Sequence, residues 1–253
     1  MAHLDLPGLL LLAGAALLAG VINAIAGGGT LISFPALLLL GLQPVAANVS
    51  NTLGLLPGYA SGSVAYRAEL SVQALRVRLL GGVSVAGAVA GAFLLTRTSP
   101  ATFSAIVPWL ILLASALLLV QPLVASRLAS RRPEGQDHRA PLLVAGQFLA
   151  AVYGAFFGAG LGVMTLAILG LFIRDDLQRI NALKALLGLI VNVVAAAYFA
   201  LFGPVDWIVV AVMLPTSVVG GFLGVAVARR LHPRLMRGLI VAFGVAVALR
   251  MLL

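Results

Sequence analysis

Apolar residues fall into eight blocks, at roughly 8–41, 44–66, 74–95, 102–124, 141–172, 177–202, 205–228 and 234–252, separated by short polar or basic segments. A helix needs about 20 apolar residues to cross a bilayer. Six blocks therefore predict one transmembrane helix each. Blocks 8–41 and 141–172 are too long for a single span. Each holds a glycine cluster, Gly27-Gly28-Gly29 in the first and Gly158-Ala159-Gly160-Leu161-Gly162 in the second. Glycine weakens a helix and permits backbone conformations that break it. Both blocks are expected to be helix–break–helix.

Loop charge tests whether these two blocks cross or turn back. If all eight blocks cross once, Arg67, Arg76, Arg78, Arg127, Arg131, Arg132, Arg139 and Arg250 lie on one side. Arg97, Arg174, Arg179, Lys184, Arg229, Arg230, Arg234 and Arg237 then lie on the other, a split of 8 to 8. If the two long blocks return to the side they entered from, the split becomes 14 to 2, with Arg97 and Arg250 outside. Cytoplasmic loops carry an excess of Lys and Arg, so the returning arrangement is expected. It puts both termini outside and the polar linker 126–140 in the cytoplasm.

That linker divides the chain into a first transmembrane repeat, 1–125, and a second, 141–253. Each has the same order, a broken long block followed by three single ones. A shift of 133 residues aligns Gly27 with Gly160, Gly29 with Gly162, Asn48 with Asn181 and Asn51 with Lys184. Each half makes an odd number of crossings, so the halves have opposite orientation. The expected fold is an all-α polytopic membrane protein of two inverted-topology repeats, an architecture many secondary transporters share.

Composition agrees with this and removes other classes. The 253 residues are 62% hydrophobic and 9% charged, against about 25% charged in soluble domains. A soluble chain of this size could not bury so much apolar side chain. The net charge of +9 does not point to nucleic acid, because the basic residues sit at block ends rather than along a face with interleaved aromatics. With no cysteine, there is no disulfide framework or thiolate metal site. The N-terminus lacks the basic stretch that opens a signal peptide, so the first block is expected to be retained. Trp109, Tyr66, Tyr198 and Trp207 lie at block ends, where aromatic side chains anchor at the interface.

Candidate chemistry lies at and beside the glycine breaks. Irregular backbone in the hydrocarbon must face protein or a watery cavity. A helix restarted after a break offers unpaired N–H groups and a positive dipole end to an anion. Thr30 and Ser33 add hydroxyls to the first break. The alternative for each cluster is close helix packing through small residues. Polar side chains follow each break: Asn48, Ser50, Asn51 and Thr52 in the first half, and Asn181, Lys184 and Asn192 in the second. Asn48 and Asn51 are three apart, as are Asn181 and Lys184, so each pair shares a helix face. A lysine within a membrane helix is costly and usually faces a pathway; the alternative is snorkelling to the interface. Tyr59 aligns with Asn192 under the same shift and either lines the pathway or packs helices.

The acidic residues and the three histidines, His3, His138 and His232, lie at block ends or in loops. No metal site, cofactor or mid-span carboxylate relay is expected. There is no Walker loop, serine elbow or His/Glu zinc pattern, so an enzyme is not expected.

The stretch Gly20-Val-Ile-Asn-Ala-Ile-Ala-Gly-Gly-Gly-Thr-Leu-Ile-Ser-Phe-Pro-Ala-Leu and the following Gly41-Leu-Gln-Pro-Val-Ala-Ala-Asn-Val-Ser-Asn-Thr resemble the sulfite exporter TauE/SafE family. The second-half echo Gly154-Ala-Phe-Phe-Gly-Ala-Gly-Leu-Gly, then Asn181-Ala-Leu-Lys-Ala and Asn192, is similar. The resemblance implies an inner-membrane permease for sulfite, sulfonates or related organic anions. It implies that Gly27–Thr30, Asn48, Asn51, Gly160, Gly162, Lys184 and Asn192 surround the pathway. A related group of thiosulfate carriers depends on cysteines, and that mechanism is excluded here. The combined expectation is a secondary transporter that binds a small anion through Gly27, Gly28, Gly29, Thr30, Asn48, Asn51, Gly160, Gly162, Asn181, Lys184 and Asn192. Its partners would be the anion, the lipid bilayer, a coupling proton or cation, and a second copy of the chain if it oligomerises. An anion channel lined by the same residues is the alternative, with a membrane enzyme third.

Overall fold

The computed structural model describes residues 5–25, 28–65, 67–129, 140–228 and 233–252. Among them are eleven α-helices: α1 (Leu6–Ile25), α2 (Thr30–Leu39), α3 (Pro44–Ala65), α4 (Arg67–Ser71), α5 (Ala74–Arg97), α6 (Pro100–Ala129), α7 (Ala140–Phe156), α8 (Leu161–Phe172), α9 (Leu177–Phe202), α10 (Trp207–Ala228) and α11 (Pro233–Leu252). Gly27, Tyr66, His3, His138, His232 and the linker from 130 to 139 lie outside the described residues. Helix α6 runs on to Ala129, past the expected linker start at 126.

Both overlong blocks break at their glycines. Gly28 has φ +132° and Gly160 φ +79°, conformations in which a Cβ is strained. After the second break the chain folds back on itself. Gly154 packs against the Leu161 side chain and Gly146 against Ile168. Residue numbers rise along one helix as they fall along the other, so α7 and α8 form an antiparallel hairpin. At the first break a Cβ on Gly29 would lie 2.3 Å from the Ala19 carbonyl oxygen. A continuous helix would hold these two residues about 15 Å apart, so α2 also folds back along α1.

Contacts between helices fix the direction of the second hairpin. Ser84 bonds Gln147, Gly87 packs on Phe148 and Ala151, and Gly91 packs on Val152 and Ala155. Helix α7 therefore runs parallel to α5. Gln73 donates to the Arg179 carbonyl at 3.1 Å and Gly81 faces Ile190, so α9 also runs parallel to α5. Helices α7 and α9 thus start at the same end of α5, and the block between has gone in and come back. Arg76 and Asp175 form an ion pair. Eight simple crossings would put these two loops on opposite faces, so the pair excludes that arrangement.

The packing follows a regular exchange between halves. Helix α10 lies along α1 and α3, while α5 lies along α7 and α9. Helix α2 meets α3 and α11, and α8 meets α9 and α6. Helices α3 and α9 meet each other, as do α6 and α11. The residues match as well, since the 133-residue shift pairs Ser84 with Ser217 and Gly87 with Gly220. A Cβ on Gly220 would come 2.1 Å from the Leu17 carbonyl oxygen, much as one on Gly87 would come 2.7 Å from that of Phe148. Small residues let these backbones approach closely.

Polarity is arranged inside out. Asn48, Asn51, Ser84, Gln147, Asn192 and Ser217 are buried, while Leu10, Leu149, Leu171, Phe202 and Phe222 are more than 60% exposed. In water such a surface would be unstable; in lipid it is the expected exterior. Helices α1, α5, α6 and α9 are each long and apolar enough to cross a membrane.

The Asp175 cluster gives a test of the loop geometry. Partial burial pushes its carboxyl up, but the Arg76 hydrogen bond, the Asp176 backbone N–H and the charges of Arg76 and Arg179 outweigh burial and hold its pKa below the ordinary value. A depressed folded-state pKa stabilises above the unfolded value, and that stability is lost as pH falls through the folded one. Asp175→Asn is expected to cost about 1 kcal/mol at neutral pH, a fall in Tm of about 2–4 °C. The gap from wild type should close in acid below the ordinary carboxylate range. Scanning fluorimetry in detergent at stepped pH reads this; a gap that persisted at the acid end would assign the effect elsewhere.

Candidate functional site

The two breaks meet at one level of the bundle. Gly28 faces Leu118 of α6, and Gly160 faces Leu117 and Ala114 one turn away on the same helix. Phe34 of α2 sits edge-on to Phe157 at the second break, with ring centroids 5.5 Å apart. Asn48 of α3 donates from Nδ2 to the carbonyl of Phe156, the last residue of α7, at 2.9 Å. The structure therefore joins the polar face of α3 to the break between α7 and α8.

The glycine N–H groups of the first break are capped from within the chain, by a side chain whose own Nδ2 is buried without a partner. The Gly28 and Gly29 N–H groups donate to Asn23 Oδ1 at 3.1 and 2.8 Å. Asn51 donates from Nδ2 to Thr30 Oγ1 at 3.4 Å, and Ser33 Oγ donates to Asn51 Oδ1. Thr30, Ser33, Asn51 and Gly29 thus form one hydrogen-bonded cluster. Asn23 closes the break, and sequence reasoning missed it. Its signal was an asparagine in an apolar block, five residues before Gly28. Its carbonyl oxygen occupies the place where an anion would meet these N–H groups, so binding there requires Asn23 to turn away.

The second break has no such side chain. Its backbone is braced by Tyr153, whose hydroxyl donates to the Ala159 carbonyl at 2.7 Å. No side chain caps the α8 N-terminus at Gly160. A Cβ at Gly162 would meet nothing within 4 Å, so this half-helix end borders open space.

Asn181, Lys184 and Asn192 share one side of α9. Lys184 Nζ donates to Asn181 Oδ1 at 3.0 Å. The lysine is half-buried, and no ion pair reaches it among the described residues. Two turns on, Asn192 is buried, donates to the Gly188 carbonyl at 2.8 Å and hydrogen-bonds Tyr59 of α3. The Tyr59 ring lies against Gly188. Two residues matched by the repeat shift thus touch each other where α3 crosses α9. Lys184 and Asn181 form a cluster separate from the Asn51–Thr30 group. A cavity of about 530 Å³ lies elsewhere, between the start of α5, Leu143 and Asp175, at the level of the ion-paired loops.

Known proteins agree in kind. A family profile described as sulfite exporter TauE/SafE matches residues 12–251. The chain is 29% identical over 227 residues to a probable membrane transporter protein of Haemophilus influenzae, covering 88% of this chain and 86% of that one. It is 29% identical over 216 residues to the probable membrane transporter protein YfcA of Escherichia coli K12, covering 85% and 77%. A probable membrane transporter protein, ORF9, from a Sinorhizobium species is 29% identical over 240 residues, covering 94% and 90%. No solved structure matches the chain. A match that spans nearly every described helix, on a bundle with broken helices and a buried polar seam, places this membrane transporter in the sulfite exporter TauE/SafE family.

Proposed function

We propose that this transporter moves a small oxyanion of the sulfite or sulfonate class across the bacterial inner membrane by alternating access. The observation that carries the reading is Lys184. An ammonium in a membrane helix costs about 2.5–3.5 kcal/mol at the helix centre, and this one is half-buried beside Asn181 with no carboxylate partner among the described residues. A transient anion would supply the missing charge. The N-terminus of α8 carries no side-chain cap and presents a dipole end of the right sign, with the Leu161 and Val163 N–H groups bonded to the Gly158 and Gly160 carbonyls, and Asn48, Asn51 and Asn192 supply neutral donors.

On this reading the repeats are inverted, the Arg-rich loops face the cytoplasm and both termini lie outside. The exchange symmetry of the packing supports it. The moving bodies are not the two sequence halves. Helix α10 packs on α1 and α3, and α5 on α7 and α9, so each body borrows a helix from the other half. Rocking of α1–α3 with α10 against α7–α9 with α5 would slide α3 over α9 at the Tyr59–Asn192 contact and open each break in turn.

Reconstituted protein is expected to show sulfite or sulfonate flux that saturates with concentration and is accelerated by the same anion on the opposite side. Radiolabelled counterflow in proteoliposomes measures both. Unitary currents in a planar bilayer would replace the carrier with a channel, and uptake of only neutral or cationic solutes would end the anion assignment.

A further inference from the structure

The seam that takes the anion also contains an oxygen that nothing satisfies. Asn48 is 1% exposed. Its Nδ2 is bonded to the Phe156 carbonyl, and its Oδ1 is buried with no hydrogen-bond partner. A buried, unpaired carboxamide oxygen is costly to leave unmet. It belongs to the same carboxamide that touches Phe156, so it sits beside the C-terminus of α7. Aligned peptide dipoles give that end about half a negative charge. What this place lacks is positive charge.

The ligand chemistry narrows the candidates. Ca²⁺ and Mg²⁺ sites are built on carboxylates, and no group of three or more acidic or histidine side chains converges among the described residues. Neutral amide and backbone oxygens suit a monovalent cation. Ends of broken helices and unwound carbonyls coordinate Na⁺ in other transporters of inverted design.

We propose that a monovalent cation of the size of Na⁺ binds at the C-terminal end of α7, held by Asn48 Oδ1 and the Phe156 carbonyl, and that its gradient drives the anion. The binding half stands on the orphan oxygen alone, while the coupling half rests on the transport reading above. An oxyanion and a cation crossing together at adjacent helix ends would each reduce the other's cost of leaving water.

The test is the thermal stability of the purified protein, without substrate, in NaCl against N-methylglucamine chloride at equal ionic strength. Na⁺ is expected to raise Tm in a saturable way. Asn48→Asp, which keeps the oxygen and adds charge, should move the midpoint to at least tenfold lower Na⁺, and Asn48→Ala should abolish the rise. Equal stability in the two salts, or an unaltered Na⁺ midpoint in Asn48→Asp, overturns the site even if Asn48→Ala fails to fold. Stabilisation by an aminosulfonate with none by Na⁺ would assign the positive charge to the substrate and overturn the free cation. In proteoliposomes, flux independent of the Na⁺ gradient overturns the coupling and leaves the anion reading intact. Na⁺ stabilisation with no anion flux overturns the anion reading and the coupling with it, and leaves the Na⁺ site standing.

Discussion

Lys184→Met is expected to cut saturable anion flux by about 30-fold or more while leaving the protein folded and at least as stable as wild type. The two effects have opposite signs for one reason. The ammonium is half-buried, and its bond is to Asn181 in its own helix. Methionine keeps the apolar stem and removes a charge that is costly to hold in a membrane helix, so Tm should hold or rise. Removing one partner of a buried charge pair costs about 2–5 kcal/mol. Applied to the anion-bound state, that is a loss of roughly 30-fold to more than 1,000-fold in kcat/KM. Lys184→Arg should recover part of the flux, because charge is kept while the compact ammonium is exchanged for a planar fork. The snorkelling alternative predicts something else. A lysine that only reaches the interface could be replaced with flux unchanged. Flux and Tm measured on the same preparations separate the two.

The sequence showed where the chain breaks because glycine acts locally. Gly28 and Gly29 fall between α1 and α2, and Gly158 and Gly160 between α7 and α8, with Gly162 in the first turn of α8. Loop charge carries an expectation of orientation, because orientation in a membrane is set by Lys and Arg counts rather than by packing. The Arg76–Asp175 contact joins loops that share a face only when the second long block turns back. The partners of α5 and α10 were not legible. These helices are apolar on most sides, so no amphipathic stripe marks the face that meets a neighbour, and each packs mainly with the other half of the chain. Asn23 was hidden for a related reason. An asparagine in an apolar block reads as pathway or packing, and its capping bond depends on how sharply the chain turns at Gly28. Lys184 and Asn181 share a face as their spacing implied, yet spacing could not show that they stand apart from the Asn51–Thr30 cluster.

The breaks can be tested by adding one methyl group at a time. Gly29 is helical in φ and ψ, so backbone freedom is not what it supplies. It supplies space, because a Cβ there would lie 2.3 Å from the Ala19 carbonyl oxygen. The obstacle is backbone, which cannot rotate away, and relief requires α2 to move off α1. Gly29→Ala is expected to cost about 3 kcal/mol, the upper end for overpacking, and to lower Tm by about 6–12 °C. Gly162 is its match under the repeat shift, yet its surroundings are open. Alanine in a helix is favoured over glycine by about 1 kcal/mol, so Gly162→Ala should hold or raise Tm. If the space beside the α8 N-terminus is the anion path, the same methyl should cut flux severalfold without unfolding anything. If that space faces lipid, flux will be untouched, and the path must run instead through the Asn23-capped break. A stable Gly162→Ala protein with full activity would therefore move the binding site from α8 to α2, where Asn23 must first release Gly28 and Gly29.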